Sequence, residues 1–289
     1  MIDPIASIVI PAHNEEAVIG RCLEAILTGS EPGELEIVVA CNGCADRTAE
    51  IARSFGPSVR VVETPVPSKI VALNLGDAIA TQFPRFYVDA DIVLPIAAIR
   101  KTACLLRAGH VHAAGPRALW DLSRSTWLVR SFYRVWKHQP YFDHGQVGAG
   151  VYAVSKHGHA RLGHFPDITA DDEYVRRLFG PNERSTVEGA FFTITPPRRL
   201  RDLIRIKTRS RRGNLELADR FPHLTPPKGS HGARFVARLL SRPETWPAVP
   251  VYLFVVLSTM VRSRLSYRPF ESAPWERDLS SRTVCGSAR

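Results

Sequence analysis

Along the first hundred residues, short apolar runs alternate with stretches whose apolar positions recur every three or four residues. Ala6-Ser7-Ile8-Val9-Ile10-Pro11 reads as a buried strand, and Val18, Ile19, Cys22, Leu23, Ile26 and Leu27 follow at helical spacing. Between them Asn14 is placed as an N-cap for Glu15 and Glu16, acids that suit a helix start. Residues 36–40 repeat the strand pattern, Asn42-Gly43 closes it with a turn, and Ile51, Ala52 and Phe55 mark a second helix. A strand at 59–62, a helix at 70–80 and an apolar run at 86–94 continue the series. Alternation in units of about thirty residues predicts a mostly parallel α/β sheet with right-handed crossovers. In such sheets ligands bind beyond the carboxyl ends of the strands. Those ends carry His13-Asn14-Glu15, Cys41-Asn42-Gly43 and Asp89-Ala90-Asp91.

After Pro95 the pattern loosens. It predicts a helix at 96–106, a strand at 111–114, a strand opened by Gly145-Gln146-Val147-Gly148-Ala149-Gly150 and running to 154, and a helix at 171–179. Short strands are expected near 184–187 and 191–195. The stretch 119–142 is dense in large aromatics, including Trp120, Trp127, Phe132, Tyr133 and Trp136. Between 125 and 138, Leu128, Phe132 and Trp136 share one helical face with Arg124, Arg130, Arg134 and Lys137 around them. Such a helix either packs on the core or lies at a membrane interface.

Charge separates the chain into two parts. Residues 1–197 hold 19 Lys/Arg against 21 Asp/Glu, whereas 198–289 hold 19 against 7, which accounts for the net +10. A basic C-terminal third suits an anionic partner, either nucleic acid or anionic lipid. Eight of its Lys/Arg lie between 198 and 212, interleaved with Leu200, Leu203, Ile204 and Ile206. Residues 245–261 carry no charge, but 17 residues are few for a span and Pro247 and Pro250 interrupt the start, so the segment reads as membrane-associated or partly inserted. Five scattered cysteines and a start that runs directly into a strand, without a basic or apolar leader, point to a cytoplasmic setting.

The candidate chemistry begins at Asp89 and Asp91. On a strand, residues two apart share a face, so the two carboxylates are expected to point together. Like charges that close need a cation between or before them, and a hard divalent ion that keeps waters and phosphate oxygens meets that need. The bland alternative makes Asp91 a helix cap and Asp89 a solvated strand end. Cys41-x-x-Cys44 is a single pair and cannot complete a structural zinc site, so the thiols are read as turn packing in preference to redox. His144 is an alternative base or acceptor contact, although such a histidine is more often structural.

Several segments, in order, resemble family 2 glycosyltransferases of the nucleotide-sugar-binding GT-A type. Ile8-Val9-Ile10-Pro11-Ala12-His13-Asn14-Glu15-Glu16 is similar to that family's first strand and P-x-x-N-E turn. Asn42-Gly43-Cys44-Ala45-Asp46-Arg47-Thr48 resembles its N-G-S-x-D-x-T signature, with Cys44 in place of serine. Lys69 with Ala72-Leu73-Asn74-Leu75-Gly76 resembles its G-K-x-x-A-L-N-x-G helix, with Ser68 in place of glycine. Asp89-Ala90-Asp91 matches its D-x-D, and Thr169-Ala170-Asp171-Asp172-Glu173-Tyr174-Val175 resembles its acceptor-side E-D-x-x-L motif, with Asp171 in place of glutamate. The resemblance covers about residues 5–215.

The resemblance implies a nucleotide-sugar pocket lined by Pro11, His13, Glu15, Asn42, Asp46, Lys69, Asn74, Asp89, Ala90 and Asp91. It places a Mn²⁺ or Mg²⁺ ion on Asp91 with help from Asp89. It makes Asp172 the general base, with Asp171 next in line and helix capping as the competing role for both. Direct displacement would invert the anomeric centre. Gly148 and Gly150 are expected to let an acceptor approach the backbone. Arg209 and Arg212 stand where membrane-bound relatives carry a Q/R-x-x-R-W motif, here without the tryptophan, and would contact acceptor or diphosphate, with a basic solvated or lipid-facing helix as an equal contender. The expected organisation is a GT-A domain over 1–215, its nucleotide-sugar half ending near 115 and its acceptor half spanning 116–215, followed by a membrane-associating extension at 216–289. The implied partners are a UDP- or GDP-linked sugar, a glycan or lipid-linked acceptor, and the anionic inner face of the plasma membrane. A nucleic-acid-binding α/β protein is the rival reading, but it leaves the strand-end motifs without a purpose. A non-catalytic sugar-nucleotide-binding scaffold is a third.

Overall fold

The computed structural model describes residues 3–142, 145, 147–225 and 231–267. Seven strands form one sheet: β1 (Ala6–Ala12), β2 (Leu35–Asn42), β3 (Val59–Thr64), β4 (Arg85–Val88), β5 (Ala113–Trp120), β6 (Val151–Val154) and β7 (Arg184–Ile194). Their spatial order is β3-β2-β1-β4-β6-β5-β7. Every pairing is parallel except those of β6, which runs antiparallel to both β4 and β5. The mostly parallel α/β sheet read from the alternation is therefore present, with one reversed strand beside the central strand.

Each face of the sheet has its own helices. Alternate residues of β1 and β4 separate: Ile8, Ile10, Phe86 and Val88 pack with α1 (Ile19–Leu27), α2 (Thr48–Arg53) and α4 (Ile96–Arg107). Val9 and Tyr87 turn to the other face, under α3 (Lys69–Ile79), α6 (Lys156–Leu162) and α7 (Asp171–Leu178). This is the period-2 alternation of a strand buried on both sides. A third apolar cluster joins α5 (Trp127–Trp136), α8 (Leu200–Arg220) and α10 (Val249–Ser266). The helix α9 (His231–Leu240) adds Phe235 and Leu239 at its edge. Residue 215 lies within α8, which runs on to Arg220.

Several local expectations are corrected. Asn14 does not cap a helix: its φ is +51°, a left-handed position that asparagine tolerates, and α1 starts later, at Ile19. The run 86–94 is strand only to Val88, because Asp89–Ile92 closes a turn in which the Ile92 amide donates to the Asp89 carbonyl at 3.2 Å. The two short strands expected at 184–195 are one strand, β7, whose register against β5 shifts between Pro116 and Arg117. The strand expected at 111–114 extends to Trp120 because β7 pairs with its whole length. In the glycine run ahead of β6, Gly148 makes only an isolated bridge with Val151, Ala149 and Gly150 turn, and the strand begins at Val151.

The aromatic helix is also settled by packing. Val129, Phe132, Tyr133 and Val135 of α5 are buried against α8 and α10, and the Phe132 ring stacks on Tyr252 at 5.5 Å between centroids. Its aromatic face is thus turned inward, with Trp127 left exposed, so α5 is no free interfacial helix.

Candidate active site

The ends of β1 and β4, the turn that leads into β6 and the starts of α3 and α7 meet around one cavity of about 1980 Å³. Lys69 opens α3 behind Ser68, the N-cap, whose hydroxyl accepts from the Val71 amide. The lysine reaches across the strand ends, and its Nζ lies 2.8 Å from Asp89 Oδ1 and 2.9 Å from Asp171 Oδ1. Tyr152, on β6, donates its hydroxyl to the other Asp171 oxygen at 3.1 Å. Asp171 is 3% exposed, so its charge is matched by an ammonium and a phenol inside the protein. Burial opposes the Lys69 charge, but Asp171, Asp89 and Asp172 outweigh it and hold the lysine protonated well above its usual range.

Asp172 is differently placed. The Ala149 amide donates to its Oδ2 at 3.1 Å and the Glu173 amide to its Oδ1 at 2.7 Å. Burial, and then the neighbouring Asp171 charge, push its carboxyl up to about 6, with Lys69 pulling the other way. The N-cap position of α7 is held by Ala170, so neither aspartate occupies it.

Two glycines make room for these acids. Gly148 has φ +115°, and a Cβ there would stand 2.8 Å from Asp172 Oδ2. Gly150 has φ +94°; its Cβ would fall 2.9 Å from Ile92 Cδ1 and 3.3 Å from Asp89 Oδ2. A side chain at Gly148 would run into Asp172, and one at Gly150 into Ile92 and then Asp89.

Of the residues singled out in the sequence, Pro11, Glu15, Lys69, Asn74, Asp89, Ala90, Asp91, Gly150, Asp171, Asp172, Arg209 and Arg212 line the cavity. His13, Asn42, Asp46 and Gly148 do not. The first three brace the β1 and β2 ends against each other. His13 Nδ1 bonds the Asn42 carbonyl, Asn42 Nδ2 donates to the Ala12 carbonyl at 2.9 Å, and Asp46 Oδ2 accepts from the Glu16 amide at 3.2 Å. Asn14 Oδ1 completes the clasp by accepting from the Ala45 amide at 2.6 Å. Asn74, though at the rim, is engaged at both ends of its amide by the Phe165 backbone. Cys41 is buried in the turn and Cys44 lies half-buried beside it, its thiol 3.4 Å from the Ala12 carbonyl, while bonds to Cys41 and the Asn14 amide hold Cys44 below the usual thiol range. His144 lies outside the described residues.

Asp89 and Asp91 leave the sheet on a turn, so they do not share a strand face, yet both carboxylate residues line the same end of the cavity with Glu15. Their charge converges on Cys22 beneath the turn. Burial and then Asp91 raise that thiol well above its usual range; Arg21 pulls the other way, and Asp89 and Glu15 add lesser pushes. Among the described residues no three His, Cys, Asp or Glu side chains converge as a metal site. A cation that keeps waters and takes phosphate oxygens needs only one or two carboxylates, and this acidic end fits that kind of ion.

Sequence reasoning missed two contributors. Tyr152 gave no signal, since its meeting with Asp171 depends on β6 lying beside β4. Lys207 did give one: Leu200, Leu203, Ile204 and Lys207 fall at i, i+3, i+4 and i+7, which puts the half-buried lysine on the inward face of α8 beside Leu203 and Ile204. Its Nζ lies 3.7 Å from the centre of the Trp136 ring.

The model of the family described as "Glycosyl transferase family 2" matches residues 7–168. The chain belongs to glycosyl transferase family 2. Curated relatives of this family-2 chain include the probable glycosyltransferase YdaM of Bacillus subtilis, 39% identical over 96 residues, or 30% of this chain and 23% of that one. The glycosyltransferase AglE of Haloferax volcanii is 42% identical over 53 residues, 18% of this chain and 17% of the relative. The chain thus matches about a quarter or less of the length of these relatives. Among solved structures, the mannosyltransferase PcManGT of Pyrobaculum calidifontis, in complex with GDP-Man and Mn²⁺, superposes with a TM-score of 0.60 at 20% identity, covering 90% of this chain and 76% of that one. Glucosyl-3-phosphoglycerate synthase of Mycobacterium tuberculosis, in complex with Mn²⁺ and UDP-glucose, gives 0.53 at 23% identity, covering 78% and 80%. At these identities the two structures share the GT-A fold with the chain.

Proposed function

We propose that this chain transfers a sugar from a nucleotide-sugar to an acceptor hydroxyl, with Asp172 as the base that takes the acceptor proton. One observation carries the reading: a carboxyl raised to about 6, fixed by two backbone amides, faces the same cavity as Asp89 and Asp91. A base with that pKa is ionised at neutral pH and still basic enough to accept a proton as the hydroxyl attacks. Asp171 is the weaker candidate because it is nearly inaccessible and ion-paired with Lys69, whereas Asp172 is half-buried and in no ion pair among the described residues. The role of Asp171 is to hold Lys69 beside Asp89. Attack from the Asp172 side on the anomeric carbon, opposite the departing diphosphate, inverts that centre.

Asp91, with Asp89 beside it, would hold a Mn²⁺ or Mg²⁺ ion. Such an ion, when bound, supplies positive charge for the departing nucleoside diphosphate. GDP-mannose and UDP-glucose in the two fold relatives support a GDP- or UDP-linked donor. Arg209 and Arg212 on α8 stand across the cavity, suited to diphosphate or acceptor anions.

The acceptor is proposed to be a lipid-linked or membrane-proximal glycan at the cytoplasmic face of the plasma membrane. The apolar side chains that α5 withholds are supplied by α10, where Leu253, Phe254, Leu257, Val261 and Leu265 are all exposed. Among the described residues, Pro243–Ser266 is the segment long and apolar enough to cross a bilayer by length and composition. Arg262 and Arg264 at its end suit anionic headgroups.

The test is stabilisation by nucleotide-sugars with and without Mn²⁺, followed by transfer and hydrolysis assays on wild type, Asp91→Asn and Asp172→Asn. Cation-dependent stabilisation by a UDP- or GDP-sugar, with turnover lost in both variants, is the expected result. Turnover equal to wild type in Asp172→Asn would refute the assignment of the base.

A further inference from the structure

Beyond Asp172 the cavity changes character. Its wall there is made by Trp120, Phe132, Tyr133 and Trp136 on one side and by Val255 and Val256 of α10 on the other. One cation stands among them. Lys207 Nζ lies 3.7 Å from the Trp136 ring centre, 5.7 Å from Phe132 and 5.8 Å from Tyr133. No described carboxylate forms an ion pair with it; the three ring faces are its neighbours. Ring quadrupoles hold an ammonium by electrostatics alone and satisfy none of its three donors. An ammonium set in apolar surroundings without a counter-ion favours an incoming anion. Burial lowers the lysine to about 7, opposed only by Asp172 among the acids of the site.

Lys69 Nζ pairs with Asp89 and Asp171 at 2.8 and 2.9 Å, where β4 ends and α3 and α7 begin, whereas Lys207 lies on α8 against the rings of α5, and both lysines line the cavity that holds Asp172. Lys207 thus stands on the α5–α8 wall, apart from the acids at the strand ends. An anion bound there belongs to the molecule attacking from the base side, not to the departing diphosphate. The walls require that this molecule also carry apolar surface. Val255 and Val256 line the cavity while Leu253, Phe254 and Leu257 face outward on the same helix, so apolar surface continues from the cavity to the exterior.

We propose that Lys207 and the Trp136 wall form an acceptor subsite for an amphiphilic anion, a phosphate or carboxylate group carried on an apolar chain. Lys207 is then a specificity-determining residue that anchors the acceptor beside Asp172. The proposal rests on Asp172 being the acceptor-side base, but its test needs no turnover.

Binding of octyl phosphate, octanol and inorganic phosphate to the full chain is measured by titration calorimetry. The same is done for Lys207→Met and Lys207→Arg, with the melting shift caused by UDP or GDP plus Mn²⁺ recorded for each protein. Octyl phosphate is expected to bind about tenfold or more tighter than octanol or phosphate alone. Lys207→Met should erase that margin, Lys207→Arg should keep most of it, and the nucleotide shift should be the same in all three. Octanol binding as tightly as octyl phosphate would overturn the anion site. Inorganic phosphate binding equally well would overturn its apolar half. A nucleotide shift lost in Lys207→Met would move the lysine to the donor. The nucleotide arm on wild type reads the transferase proposal and the alkyl phosphate arm reads this one, so each fails separately.

Discussion

A Cβ on Gly148 would lie 2.8 Å from Oδ2 of Asp172, closer than packed atoms come. The left-handed backbone at Gly148 and the position of the aspartate thus depend on each other, since φ +115° is a value that other residues rarely adopt. Gly148→Ala is expected to cost about 1–3 kcal/mol of stability through backbone strain. Turnover should fall further than that loss explains, because the side chain it displaces is the base. Melting curves and kcat on one preparation check both.

Asp172→Asn should lower kcat by about 10²–10⁴, the usual contribution of a general base. The wild-type rate is expected to rise with pH through about 6, as Asp172 loses its proton, and the variant should lack that limb. Stability should run the opposite way. The folded protein holds the Asp172 proton at higher pH than the unfolded chain, so this group contributes stability as pH falls from about 6 toward the ordinary aspartate range. At pH 8 the asparagine variant should therefore be at least as stable as wild type in urea unfolding.

Lys69 is the counter-charge for a nearly inaccessible Asp171. Lys69→Met leaves that carboxylate with only the Tyr152 hydroxyl and should destabilise the fold by about 3–5 kcal/mol. Adding Asp171→Asn should recover part of the loss, since the orphaned charge goes with it. A double-mutant cycle by urea denaturation measures the coupling. Additive effects would show that the bridge is not a unit.

The outward face of α10 is expected to bind anionic vesicles. Phe254 and Leu257 are 56% and 58% exposed, so Phe254→Glu with Leu257→Glu should leave the melting temperature nearly unchanged. Co-flotation with phosphatidylglycerol vesicles should fall by about tenfold or more, as two large apolar side chains no longer enter the bilayer. Equal flotation of variant and wild type would remove α10 from the membrane proposal.

Much of this molecule is legible in its order of residues. Local periodicity placed α1, α3, α7 and the strands β1 and β2, because each buries one face that repeats with its own backbone period. The motif at 169–175 located both aspartates of α7, but their division of labour came from outside that helix. Asp171 is engaged by Lys69 and Tyr152, and Asp172 by the Ala149 amide. His13, Asn42 and Asp46 read as ligand contacts, yet they are occupied in bracing two strand ends, since only the fold brings the loops at 13–16 and 42–48 within hydrogen-bonding reach.

By itself the sequence determined the sheet-and-helix alternation, the family, and the set of acidic and basic groups near the strand ends. Those follow from local spacing and residue chemistry, which need no knowledge of distant neighbours. The tertiary structure alone decided that β6 reverses beside β4, that the aromatic face of α5 turns inward and leaves α10 exposed, and that Lys207 meets three rings. Each depends on contacts between residues far apart in the chain, where free energy is set by which surfaces are buried together and not by any segment's own preference.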